Sequence, residues 1–82
     1  MTTAPSSDSQ DDIRAELDRV EPEIVDMRRV ARDLREQLAE NPDAATDPSD
    51  RAEAITMAEQ QEALAEVLEA RRDELRRRLE RS

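Results

Sequence analysis

The sequence has no cysteine, no glycine, no histidine, no lysine and no aromatic residue. Each absence closes a route. Without cysteine, neither a disulfide nor a thiolate metal site can staple the fold. Without histidine and cysteine, the usual nucleophile–base pairs and transition-metal sites are missing. Without glycine, a phosphate-cradling loop lacks the residue it turns on. Lysine would be needed for a Schiff base. Aromatic side chains would supply the large payload of a compact core and the stacking platforms for single-stranded nucleic acid. Carboxylates are plentiful, but a thin rod of helices does not desolvate a pair enough to tune it for proton transfer. The expectation is a protein that is not an enzyme, with no cofactor and no metal.

Long apolar runs are absent too. No stretch approaches the length needed to cross a bilayer. Residues 1–12 have neither a basic region nor an apolar core, so they do not read as a signal peptide. A cytoplasmic location is expected. Net charge is −9, which argues against a general phosphate-neutralising surface and hence against direct nucleic-acid binding. Such charge serves solubility, or docking on a basic protein surface.

What remains is a chain of 82 residues, 43% charged and 35% apolar, dominated by Ala, Glu, Leu and Arg. That is enough for one small domain, and its composition with a heptad period is that of a coiled coil. Residues 1–8 are small, polar and proline-containing, and read as a disordered tail. Ser9, with Asp12 three residues later, resembles a helix-capping pair. A first helix is expected over 9–40. Its apolar residues Ile13, Leu17, Val20, Ile24, Met27, Ala31, Leu34 and Leu38 alternate spacings of four and three without a break. This is a heptad seam, with Leu17, Ile24, Ala31 and Leu38 at a. Pro22 interrupts the backbone ladder. The heptad continues in phase across it, and Pro22 falls at the outward f position. One bent helix is therefore expected, with a break near Glu21 as the alternative.

Asn41-Pro42 ends the first helix, and a short loop over 41–47 makes the two helices antiparallel neighbours. Asp47 is a good N-cap, Pro48 suits the first helical position, and Asp50 sits at N3. A second helix is expected over 48–81. Its best seam reads Ala54, Met57, Gln61, Leu64, Leu68, Arg71, Leu75 and Arg78. Ile55, Ala58, Ala65, Val67 and Leu79 widen the apolar surface. Two readings of that width stand. It is alanine-rich filler on a solvated helix, or a flank interface at Ile55, Val67 and Leu79 through which a homodimer forms a four-helix bundle.

Charge supports the hairpin independently. The first helix is acidic from Asp11 to Asp26, and the second is basic from Arg71 to Arg81. Antiparallel folding sets these blocks side by side. It also sets Arg28, Arg29, Arg32 and Arg35 near Glu59, Glu62, Glu66 and Glu69. Placing Leu34 opposite Met57 brings Glu21 and Arg72 to facing positions. The fold class expected is all-α, an antiparallel two-helix coiled-coil hairpin roughly 45 Å long at 1.5 Å per residue.

The hairpin tip is Asp47-Pro48-Ser49-Asp50-Arg51-Ala52. Helix capping accounts for Asp47, Pro48 and Asp50 through donor satisfaction and the helix dipole. The same residues form Asp47-x-x-Asp50-x-Ala52, with Pro48 and Arg51 in the gaps. This resembles the D-x-x-D-x-A tip motif of the DksA/TraR family, which often reads D-P-x-D-R-A at the start of the second coiled-coil helix. Downstream, Glu66 to Leu79 is loosely similar to that helix. In the family, the coiled coil enters the secondary channel of RNA polymerase, and the acidic tip reaches toward the catalytic centre and alters promoter-complex stability. The resemblance implies a protein partner, RNA polymerase. It makes Asp47, Asp50, Arg51 and Ala52 the partner-binding tip, with Asp47 and Asp50 as tip carboxylates and Ala52 as the small residue permitting close approach. The four-cysteine zinc finger that usually follows the family's coiled coil has no counterpart in this chain. The alternative is a structural or adaptor coiled coil that binds through its flank.

Overall fold

The computed structural model describes residues 9–40 and 47–81. The expected tail, the turn at Asn41-Pro42 and most of the loop lie outside the described residues. Two long helices pack against each other, α1 (Gln10–Glu40) and α2 (Pro48–Arg81). The architecture is an all-α helical hairpin.

Each helix begins on a side-chain cap. Ser9 Oγ accepts the Asp12 N–H at 3.2 Å, and the Ser9 carbonyl accepts the first helical bond from Ile13 N–H at 3.0 Å. Asp47 does the same for α2. Its Oδ1 accepts the Ser49 N–H at 2.9 Å, and its carbonyl accepts the Arg51 N–H at 3.1 Å. Both caps satisfy amide donors that no helical carbonyl can reach. α1 runs unbroken through Pro22, which is exposed. The f position turns the proline ring away from the partner helix, so the seam is kept.

The α1 seam is the one its heptads predict. Ile13, Leu17, Val20, Ile24 and Ala31 are buried, and Met27, Leu34 and Leu38 are half-buried. The α2 seam is rotated from the expected one. Ala58 and Ala65 are completely buried, whereas Met57 and Leu64 are about half exposed. The observed seam reads Ala54, Ala58, Gln61, Ala65, Leu68, Arg72, Leu75 and Leu79, all buried or half-buried. Two physical reasons favour it. The expected seam carries two arginines, Arg71 and Arg78. The observed seam carries only Arg72, which stays 26% exposed and pairs with Asp73 at 3.1 Å. Alanines also leave room for larger side chains from across the interface. In the antiparallel register, Met27 and Leu34 lie level with Ala65 and Ala58.

The core is deepest at the end away from the tip. Ile13, Leu17 and Leu75 form its cluster, with Leu79 packed against them. Ile13 and Leu75 are the largest side chains that are fully buried. Toward the tip the seam thins to half-buried Leu34, Leu38, Ala54 and Arg51.

Ion pairs fix the direction of the chains. Arg28 forks onto Glu69 with bonds of 2.6 and 3.2 Å, and Arg35 onto Glu62 with two bonds of 2.7 Å. Glu21 completes this flank with Arg76 at 2.5 Å. The expected Glu21–Arg72 pairing is therefore replaced, because the rotation of α2 moves Arg72 into the seam and Arg76 onto the flank. The remaining arginines of the central block pair within their own helix, Arg29 with Asp26 and Arg32 with Asp33 and Glu36.

Candidate partner-binding tip and flank

α2 positions the tip. Its first turn aims Asp47, Pro48, Ser49 and Asp50 at solvent, and all four are exposed. The carboxylates at 47 and 50 have different surroundings. Asp47 is engaged by the Ser49 amide, so one of its oxygens serves the helix. Asp50 makes no ion pair with another described residue and sits in the first turn of α2. There the helix dipole favours a negative charge without consuming it.

Arg51 is half-buried and turns back across the hairpin. Its Nη1 donates to the Leu38 carbonyl at 3.5 Å, a long bond onto one of the last backbone acceptors of α1. Those carbonyls lack helical partners, so Arg51 ties the two helix ends together. Ala52 is exposed. The four tip residues proposed from the motif thus divide. Asp50 and Ala52 face outward, Asp47 also caps, and Arg51 is held by the fold. An open groove of about 490 Å³ leads from Ser49 and Ala52 past Glu53 and Thr56 to Met57 and Gln60.

The three flank residues also separate. Val67 is 65% exposed. Ile55 is half-buried, and Leu79 packs on the core cluster. The exposed aliphatic side chains of α2 are instead Met57, Leu64 and Val67. They were legible as a second pattern of three- and four-residue steps, set beside the seam.

The two flanks of the hairpin differ in chemistry. One carries Glu21, Arg28 and Arg35 of α1 against Arg76, Glu69 and Glu62 of α2. Charge-assisted bonds from arginine hold Glu62 and Glu69 below the ordinary carboxylate range, and the same bonds raise Arg28 and Arg35. The opposite flank has a fork between Arg71 and Glu16, with bonds of 2.7 and 3.1 Å, which lowers Glu16. Stepping one and two heptads from that fork toward the tip brings Glu23 level with Leu64 and Val30 level with Met57. Val30 is 43% exposed. This flank therefore has its cross-helix ion pair near the base, and beyond it Leu64, Val30 and Met57 lie exposed beside Glu23.

No helix among the described residues is long and apolar enough to cross a membrane. No group of His, Cys, Asp or Glu among them is placed to hold a metal ion. No protein-family model, no curated protein and no solved structure matches the chain.

Proposed function

We propose that the chain is a non-enzymatic coiled-coil interaction module that presents an acidic hairpin tip to a protein partner, and that this partner is RNA polymerase. The observation that carries the reading is the state of Asp50. It is exposed at the end of a long hairpin and has no ion-pair partner among the described residues, whereas Glu16, Glu21, Glu62 and Glu69 are all taken up by arginines across the interface. A rod of two helices about 50 Å long at 1.5 Å per residue suits insertion into a narrow channel. The exposed Asp50 carboxylate is carried at its tip end. The motif resemblance at Asp47, Asp50 and Ala52 supplies the identity of the channel.

In this reading Asp50 is the recognition carboxylate, and Ala52 leaves room for close approach. Asp47 contributes charge while capping α2, and Arg51 keeps the tip joined to α1. The test is capture of RNA polymerase from the native cell extract by the tagged full-length chain. Recovery of polymerase by wild type and by Asp50→Asn, with a transcriptional effect from wild type alone, supports the proposal. Failure of the wild-type chain to retain polymerase overturns it.

A further inference from the structure

Four of the five large apolar side chains exposed among the described residues lie on one flank of the hairpin. Met57, Leu64 and Val67 follow one another along α2, one heptad and then one turn apart, and Val30 of α1 lies level with Met57. The fifth, Val25, sits at the b position of α1, away from this row. Apolar side chains scattered singly are ordinary on a protein surface, whereas a contiguous row marks a contact. The row from Met57 to Val67 covers about 15 Å at 1.5 Å per residue, roughly three turns of a helix. The fork between Glu16 and Arg71 closes it toward the base.

The border of this row is acidic. Glu23, level with Leu64, is exposed and makes no ion pair with another described residue. Glu53, one turn from Met57 toward the tip, is exposed and makes none either. Asp26 and Asp33, one turn to either side of Val30, meet only arginines of their own helix at 3.7 Å, beyond hydrogen-bond range. On the opposite flank, by contrast, Glu21, Glu62 and Glu69 are each held by an arginine of the other helix. We infer that the apolar flank is the docking face for an amphipathic helix of a partner protein, whose apolar stripe is bordered by arginine or lysine. The stripe covers Met57, Leu64 and Val67, and the cations meet Glu23, Asp26 and Asp33. A second copy of this chain is the poorer occupant, because it brings the same acidic border and a further net charge of −9. Asp50 lies one heptad beyond Met57, about 10 Å along α2. A three-turn helix seated on the row therefore leaves the tip clear, and the face does not depend on the tip's partner.

The probe is a fluorescent synthetic peptide of about 18 residues, with leucine at alternating spacings of three and four and arginine on both sides of that stripe. Its binding to the full chain is read by anisotropy, beside the same peptide with glutamate in place of arginine. Wild type should bind the arginine peptide about tenfold more tightly than the glutamate peptide. Leu64→Glu and Val25→Glu add the same charge at different places. Leu64→Glu should weaken binding about tenfold, and Val25→Glu should stay within about twofold of wild type. Attraction by net charge alone would strengthen both. Glu23→Gln/Asp26→Asn should weaken binding about threefold. Circular dichroism should show unchanged helicity in all three variants. Failure of the arginine peptide to bind wild type, or equal binding by Leu64→Glu and Val25→Glu, overturns the inference. So does sedimentation equilibrium in which wild type dimerises and Leu64→Glu does not, because the face then belongs to a second copy.

Discussion

Arg35 and Glu62 form a two-bond fork across the hairpin, with Nε and Nη2 of the arginine each 2.7 Å from a carboxylate oxygen. Seven residues back in α1 and seven forward in α2, Arg28 and Glu69 repeat it. One more heptad brings Glu21 to Arg76, with the signs exchanged. The reversal of sign along one flank does more than hold the helices. A slip of one heptad would put Glu21 level with Glu69, so the charges select the register.

The forks carry a pH signature. Glu62 and Glu69 titrate below the ordinary value of 4.5 in the folded chain because arginines hydrogen-bond their ionised form. The folded state therefore binds fewer protons than the unfolded state in that range. The stability they contribute is complete above the ordinary value and is lost as pH falls through the lower folded value. Thermal melts of wild type and Arg28→Gln/Arg35→Gln check this. The gap between them should be widest near neutral pH and should close as pH drops below 4.5.

The rotation of α2 is testable by enlarging its small residues. Ala58 and Ala65 are completely buried, so Ala58→Leu or Ala65→Leu should destabilise the hairpin by about 1–3 kcal/mol. The exposed control Val25→Ala should stay within about 0.5 kcal/mol. Were Met57 and Leu64 the seam residues, leucine at 58 or 65 would be tolerated in chemical denaturation.

Leu75 is 1% exposed in the deepest part of the core. Leu75→Ala should cost about 2–4 kcal/mol, through lost burial and the cavity left behind. Because the seam thins toward the tip, amide hydrogen exchange should be slowest around Leu17 and Leu75 and fastest around Leu38 and Ala54. Uniform protection along both helices would contradict this gradient.

Pro22 lies inside α1 with no amide to donate to the ladder. Its side chain is exposed, so replacing it disturbs no packing. Pro22→Ala should raise stability by about 1–3 kcal/mol, read as a higher denaturation midpoint.

The hairpin, both caps and every seam residue of α1 were legible in the sequence. The heptad from Ile13 to Leu38 offers no competing pattern, and the capping residues have few other duties. α2 was harder because it carries two interleaved apolar columns. One holds Ala58, Ala65 and Leu79, and the other holds Met57, Leu64 and Arg71. Ranking columns by hydrophobic size favours Met57 and Leu64. The fold instead favours close approach over alanine and only one seam arginine. The error of one position also displaced the partner of Glu21 from Arg72 to Arg76. At the tip, the motif singled out four residues without separating their duties. The Asp47 cap was expected and is present, but only the structure shows that Arg51 reaches the Leu38 carbonyl and that Asp50 has no ion pair among the described residues.

Asp47 allows structural duty to be separated from charge. Asparagine caps as well as aspartate, so Asp47→Asn should leave stability unchanged, whereas Asp47→Ala should cost about 1 kcal/mol. Equal losses in the two variants would mean that the charge, and not the cap, sustains the start of α2.

The proposed role of the tip rests most directly on Asp50. The deciding measurement is the lifetime of promoter complexes formed by purified RNA polymerase, with wild type or with Asp50→Asn at matched occupancy. Wild type is expected to change that lifetime, and Asp50→Asn to bind without changing it. A wild-type chain with no effect at saturation, or an Asp50→Asn variant as active as wild type, would contradict the assignment of function to the tip.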